Sequence, residues 1–156
     1  MAENPYHPPQ ADLATDTPHH YAGFWIRVLA SIIDSVLIVL VTAPFLYSIY
    51  GPAYFGSGML IHGTWDFLIS WVFPAIAVIM FWISRSATPG KIWLHLRIVD
   101  AQTGQKPSQL QFIGRYFGYL VSTLPLMLGL LWVAFDRRKQ GWHDKLAGTV
   151  VIREKT

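Results

Sequence analysis

Residues 24–50 read FWIRVLASIIDSVLIVLVTAPFLYSIY, a run in which Arg27 and Asp34 are the only charged side chains. As a helix this run would be about 40 Å long, which is sufficient to cross a hydrocarbon core of roughly 30 Å with some tilt. Pro44 lacks a backbone donor and predicts a kink near the far end. The run therefore predicts a transmembrane helix that carries two energetically costly charges.

Two further apolar runs follow, at residues 65–83 and 110–135. The first of them would make a helix of about 28 Å, which is just sufficient for a second span. The other has Pro125 near its middle, and it has two interpretations. We prefer a re-entrant hairpin of two half-length helices, and the alternative is a single span with a proline kink.

Composition excludes several classes of protein. The chain has 156 residues, of which 53% are hydrophobic and only 13% are charged, and its mean hydropathy is +0.35. This balance is not that of a soluble domain, and the absence of cysteine excludes a disulfide scaffold. A net charge of +3 is too small to indicate nucleic acid as a partner. We expect an all-α integral membrane protein with two full transmembrane helices and a broken third run.

Charge distribution predicts the topology. Residues 84–111 have four cations against one carboxylate, and residues 136–156 have six against three, whereas residues 51–63 contain no Lys or Arg. The positive-inside rule therefore places both basic segments and the N-terminus in the cytoplasm. Because both basic segments lie on one side, the broken third run is expected to return to the side from which it came.

A small β element is expected on the cytoplasmic side. Residues 91–100 alternate apolar and polar side chains, and residues 149–152 form a second, β-branched segment that can pair with them. Residues 1–20 are rich in proline and lack an apolar period, which predicts a disordered cytoplasmic tail. The membrane domain is expected over residues 21–152, and residues 153–156 form a basic C-terminal tail.

Charged residues in apolar helices need partners, because an unpaired charge at the membrane centre costs at least about 2.5–3.5 kcal/mol. We expect a buried polar cluster that includes Arg27, Asp34 and Arg115. Asp34 with Arg115 is the preferred ion pair, and Arg27 is expected to meet either Asp136 or Asp144. The principal interpretation of these pairs is structural. An alternative is that Asp34 exchanges protons and ions.

His143 lies beside Asp144 in a basic segment that follows the third apolar run. The principal interpretation of this segment is that its cations anchor anionic lipid headgroups. The alternative is a proton relay at His143, since histidine titrates closest to neutral pH.

These motifs together resemble the RDD family of bacterial membrane proteins. The resemblance rests on Arg27, Asp34, the ATPGK turn at residues 87–91 and the segment DRRKQGWHDKLAGTVVI at residues 136–152. The family is named for one arginine and two aspartates, and both Asp136 and Asp144 are candidates for the second aspartate. The resemblance implies a multi-pass inner-membrane protein whose activity is mostly unassigned, with cation/proton antiport proposed for some members.

The sequence contains no glycine-rich phosphate loop, no metal-spaced His/Cys cluster and no nucleophile elbow. We therefore expect neither enzymatic activity nor a cofactor or metal. The expected function is that of an accessory or scaffold component of a membrane assembly, and the alternative is a small cation/proton antiporter with Asp34 as its coupling carboxylate. Expected partners are membrane lipids and either a second copy of the chain or another membrane protein.

Overall fold

The computed structural model describes residues 20–154. Residues 1–19 and 155–156, which hold most of the two predicted tails, lie outside the described residues. The architecture of the described part is mainly helical, with one two-stranded sheet.

The first predicted span is helix α1, Phe24–Tyr50. It continues through Pro44 and ends at Gly51, whose φ of 72° lies in the left-handed region and whose N–H donates to the carbonyl of Tyr47. Most of its surface is apolar and exposed, as in Leu40, where 65% of the side chain is accessible. An exposed apolar surface of this kind suits contact with acyl chains.

The second span comprises α2 (Thr64–Phe67), a π-helical turn (Leu68–Val72) and α3 (Phe73–Arg85). These three pieces form one continuous 22-residue helix. The π turn directly precedes Pro74, whose missing N–H interrupts the regular α-helical hydrogen bonding. The two spans are joined by a loop that contains a short 3-10 helix, Pro52–Gly56.

The third apolar run is broken. It forms α5 (Gln109–Thr123) and α6 (Leu128–Phe135), which meet at an angle of 100°. The turn between them contains Pro125, and the next two residues have positive φ angles. This sharp break agrees with the predicted interruption at proline.

The sheet brings the two ends of this bent pair together. Strands β1 (Leu96–Asp100) and β2 (Thr149–Arg153) pair antiparallel, with Ile98 opposite Val151. The chain before α5 and the chain after α6 therefore lie side by side, whereas one straight crossing would separate them by about 30 Å. The bent pair of α5 and α6 therefore begins and ends beside the same sheet.

Two short helices flank the sheet, α4 (Pro89–Trp93) and α7 (Trp142–Leu146). The strand predicted to begin at residue 91 was wrong in its first half, because residues 91–93 belong to α4 and residues 94–95 form a turn. Pro89 favours the first turn of a helix, and His95, with a φ of 55°, ends the helical segment before the strand. The buried core joins α1, α3, α5 and both strands. Its members are Ala22, Ala30, Trp82, Leu96, Ile98, Phe112 and Val151.

Candidate functional site

Asp144 lies at the centre of a buried ion cluster. Its Oδ2 is 2.5 Å from Nη1 of Arg27, and its Oδ1 forms an ion pair with Nη1 of Arg115. Asp144 and Arg115 are fully buried, and Arg27 is 9% exposed. One carboxylate thus connects two guanidinium groups from helices that are distant in sequence.

Further hydrogen bonds hold these side chains in place. Arg115 Nη1 donates to the hydroxyl of Thr149 on β2 at 2.7 Å, and Arg27 Nε donates to the carbonyl of Ala22 at 2.9 Å. The N–H of Gly141, at the start of α7, donates to Asp144 Oδ2 at 3.0 Å. The cluster therefore ties α1, α5, α7 and the sheet together at one point.

Close helix packing brings α7 to the cluster. A Cβ atom on Gly118 of α5 would lie 2.9 Å from the Cα of His143, a distance that side chains do not adopt. Because glycine has no Cβ, α7 can rest directly on α5 and present Asp144 to Arg115.

Two ionisable groups of α7 have strongly perturbed pKa values. Burial opposes ionisation of Asp144, but the guanidinium groups of Arg115 and Arg27 outweigh it and hold the pKa of the carboxyl well below its usual range. Burial lowers the pKa of His143 to about 3, although the neighbouring Asp144 acts in the opposite direction. Asp144 is therefore ionised and His143 neutral at neutral pH.

The surroundings of His143 favour a structural role. Its ring stacks on Tyr119, with 4.0 Å between the ring centroids, and its backbone N–H donates to the hydroxyl of Ser122 at 3.0 Å. A group with a pKa of about 3 does not change its protonation state near neutral pH. This geometry gives no support to a proton relay at His143.

Asp34 has different partners from those predicted. Its carboxylate accepts from the hydroxyl of Thr88 at 2.5 Å and from the N–H of Gly90 at 2.7 Å. The preferred Asp34–Arg115 pair was wrong, because α4 packs against this face of α1 and Arg115 turns toward Asp144. Asp34 thus lies outside the ion cluster.

Of the two partners considered for Arg27, the structure selects Asp144. Asp136 instead pairs with Lys145 at 2.5 Å, and that lysine is 45% exposed. Three residues of the predicted cluster therefore come together, Arg27, Arg115 and Asp144, and two do not, Asp34 and Asp136. Within residues 20–154, no group of three or more His, Cys, Asp or Glu side chains is arranged to hold a metal ion.

A second polar cluster, missed from the sequence, lies at the opposite end of the spans. Asp66 is 1% exposed and accepts from the hydroxyl groups of Tyr54 and Ser70, each at 2.7 Å. It also accepts from the N–H of His62 at 2.8 Å. The sequence signal that could have revealed this cluster is an aspartate at the start of an apolar run, with Tyr50 and Tyr54 shortly before it.

The family's sequence profile, described as RDD family, matches residues 21–148. This chain belongs to the RDD family. The match includes Arg27, Asp34, Asp136 and Asp144, so it leaves both candidates for the second aspartate in place. The geometry favours Asp144, since this is the aspartate that contacts the family's arginine.

Three relatives extend the RDD assignment. The uncharacterized protein RP437 of Rickettsia prowazekii (strain Madrid E) is 40% identical over 75 residues, or 48% of this chain and 41% of the relative. The uncharacterized protein YxaI of Bacillus subtilis (strain 168) is 31% identical over 149 residues, covering 84% of this chain and 96% of the relative.

The uncharacterized membrane protein YteJ of Bacillus subtilis (strain 168) is 29% identical over 157 aligned positions, covering 95% of this chain and 88% of the relative. The chain thus spans nearly all of the two Bacillus proteins but less than half of the Rickettsia protein. No solved structure matches this chain. The comparisons thus identify this chain as an RDD-family membrane protein whose relatives named here are uncharacterized.

Proposed function

We propose that this RDD protein is a non-enzymatic accessory or scaffold component of a membrane assembly. One observation carries the proposal. Inside the protein, the Asp144 carboxylate already pairs with two arginines and accepts a hydrogen bond from a backbone N–H. A site for turnover needs a reactive group that can reach its substrate, whereas this cluster is fully enclosed. Its geometry suits the fixing of helix positions.

The second polar cluster, around Asp66, gives little support to a hydrolytic activity. Ser57 Oγ is hydrogen-bonded to His62 Nε2, and His62 Nδ1 lies 3.5 Å from Asp66 Oδ2, which resembles the order of a hydrolytic triad. However, His62 Nδ1 has no hydrogen-bond partner within residues 20–154. A catalytic histidine needs that bond to hold its ring and tautomer in place.

We place the protein in the bacterial inner membrane with its N-terminus, sheet and both basic segments in the cytoplasm. The basic residues that follow the second span, Arg85 and Lys91, support this orientation, as does a loop at 51–63 without Lys or Arg. The paired strands support a re-entrant third run. Partners would be membrane lipids and a second copy or another membrane protein, and no nucleic acid.

The scaffold function can be tested by photo-crosslinking in intact cells. A photoreactive residue at position 40 or 45 of α1 would sample the exposed face, where Leu40 and Phe45 are 65% and 60% exposed. We expect one protein adduct of discrete mass from this face, retained in Asp34→Asn and lost in Arg115→Met, which disrupts the cluster. Adducts with lipid alone at both positions would contradict the scaffold proposal.

Cation/proton antiport is the second candidate function. The observation that favours it is the position of Asp34 in a cavity. This carboxylate lines a cavity of about 840 Å³. None of the ion pairs among the described residues includes it. In proteoliposomes with a trapped pH dye, antiport requires a cation gradient to drive a pH change. Asp34→Asn should abolish that change and Asp136→Asn should retain it. Our scaffold proposal expects no pH change with the unmodified protein.

A further inference from the structure

The cavity next to Asp34 lies between α1, α3, α4 and α5 and has a volume of about 840 Å³. It is separate from the enclosed ion cluster, although Tyr119 contributes to the walls of one and packs on His143 of the other. The main polar side chains on its walls come from α1, α5 and α4 with the residue that precedes it. They are Ser31, Asp34, Thr88, Lys91, Tyr119 and Thr123.

Lys91 is a buried cation, with only 6% of the residue exposed. None of the ion pairs among residues 20–154 includes it. The Tyr119 hydroxyl and the Asp34 carboxylate, on other walls of the same cavity, favour its charged form. The ammonium group lies 5.7 Å from the centre of the Trp82 ring. Burial lowers the pKa of Lys91. A buried ammonium is stabilised when an anion enters beside it.

Asp34 supplies the complementary charge in the same cavity. It accepts two hydrogen bonds, from Thr88 and Gly90, and a carboxylate has about four acceptor positions. A ligand ammonium can therefore still bind it. The cavity thus holds one cation and one anion that act on each other across it, and neither is in a direct ion pair among the described residues.

Beyond the charged end the walls become aliphatic. Ile38, Val78, Leu120 and Leu124 line the same cavity, and the last two are 57% and 82% exposed. A smaller space of about 250 Å³ shares Asp34, Ile38, Val78 and Thr88 with it, and its remaining walls are almost wholly apolar. A ligand that fits both spaces is amphiphilic, with its polar end at Lys91 and Asp34.

The position along the spans is that of the lipid headgroups. Arg85 ends the second span, and Thr88 and Gly90, which bind Asp34, follow it within five residues. Asp34 therefore lies near the boundary between headgroups and acyl chains, and not at the membrane centre.

We propose that this cavity binds a phospholipid with a phosphoethanolamine headgroup, with the phosphate at Lys91 and the ammonium at Asp34. The acyl chains would follow Ile38 and Val78 into the apolar space. Basic pockets between transmembrane helices are a recurring mode of headgroup recognition, and the carboxylate adds selection for a primary ammonium. The proposal does not depend on whether the protein has a protein partner.

The test is lipid titration of the purified full-length protein in detergent, followed by native mass spectrometry. We expect phosphatidylethanolamine to bind about tenfold more tightly than phosphatidylglycerol, which lacks the ammonium. Asp34→Asn should remove this preference, and Lys91→Met should weaken binding of both lipids about tenfold. Lys106→Met, at an exposed lysine, is the matched control and should change neither affinity.

Two further measurements keep the proposal open to refutation if a charge variant fails to fold. Ser35→Phe fills the cavity from an exposed position without removing a charge, and it should abolish selective lipid binding. Free phosphoethanolamine should bind far more weakly than the lipid. Equal affinity of the unmodified protein for phosphatidylethanolamine, phosphatidylglycerol and phosphatidylcholine would overturn the proposal, as would binding of free phosphoethanolamine as tight as that of the lipid.

Discussion

The single carboxylate of Asp144 faces two guanidinium groups, so the buried cluster carries one excess positive charge. A protonated His143 beside it would add a second, and burial prevents this by lowering the pKa of the histidine to about 3. Among residues 20–154, some guanidinium nitrogens of Arg27 and Arg115 have no hydrogen-bond partner, but the Arg115 cation lies 5.5 Å from the centre of the Trp82 ring. The negative face of the indole partly offsets the excess charge.

Replacing Asp144 should therefore be far more harmful than replacing Asp136. Asp144→Asn leaves two buried arginines without an anion, and breaking such a pair costs about 3–5 kcal/mol. Asp136 faces a half-exposed lysine, so Asp136→Asn should cost no more than about 1 kcal/mol. The check is the apparent melting temperature of both variants in detergent. Equal melting temperatures would show that Asp144 is not the central anion.

Stability should fall as the pH is lowered from 6.5 toward 3. The unfolded chain protonates His143 below its ordinary pKa of 6.5, whereas the folded protein does so only near 3, so the unfolded state binds more protons in this window. The contribution is complete above pH 6.5 and decreases by about 1.4 kcal/mol per pH unit below it. Asp144, with its lowered pKa, adds a further loss below about pH 4.

The matched variant for this pH dependence is His143→Gln. It should be less stable at all pH values because stacking on Tyr119 is lost, but its stability should decrease less steeply between pH 6 and pH 4. Melting temperatures recorded across this range test the difference in slope. Parallel curves for the two proteins would exclude His143 as the titrating group.

The sequence identifies the charged residues whose burial is costly in free energy, but it does not assign all their partners. Arg27, Arg115 and Asp144 stood out because an apolar or membrane-adjacent context makes each charge expensive. The partner of Arg115 depends on how α5 is rotated about its axis and on where α7 lies. The spacing of residues along the sequence determines neither. Asp66 was missed as a site because its partners come from a loop whose path is not periodic.

At the level of secondary-structure elements, α4 also could not be predicted from the local sequence pattern. The alternation of residues 91–100 fits a strand, yet Pro89 starts a helix that covers the first three positions. The close contact with α1 explains why the chain prefers this helix: a Cβ on Gly90 would lie 2.3 Å from the carbonyl oxygen of Ala30. This tertiary contact overrides the local pattern. The pairing of the two β segments was predictable because both are short, β-branched and on one side of the spans.

Two glycines on α5 provide a test of helix contact. Gly118→Ala should destabilise the protein by about 1–3 kcal/mol, because its Cβ would collide with the backbone of His143. Gly114→Ala, one turn earlier, meets nothing within 4 Å and should stabilise the helix by about 0.5–1 kcal/mol. Opposite shifts in melting temperature are expected. A gain in stability for both variants would mean that α7 does not rest on α5.

For the whole molecule, the strand pair brings the two ends of the third run together. A span that crossed the membrane would place β1 and β2 on opposite sides, and the five residue pairs of their register would be lost. The bend of 100° at Pro125 turns the chain back toward the sheet. Sequence could predict the break from proline and the common side from charge. It could not predict the angle, which depends on two non-glycine residues with positive φ.

Single cysteines in this cysteine-free chain test the topology directly. Cysteine at position 57 should react with a membrane-impermeant maleimide added to intact cells whose outer membrane has been permeabilised. Cysteines at positions 105 and 154 should react only after the inner membrane is opened. All three positions are exposed in the structure, so accessibility reports the side of the membrane and not burial. Labelling of position 154 from the periplasmic side, with position 105 protected, would instead mean that α5 and α6 together cross the membrane. That outcome would also separate β1 from β2, and the Thr149 hydroxyl could then no longer bind Arg115 as it does here.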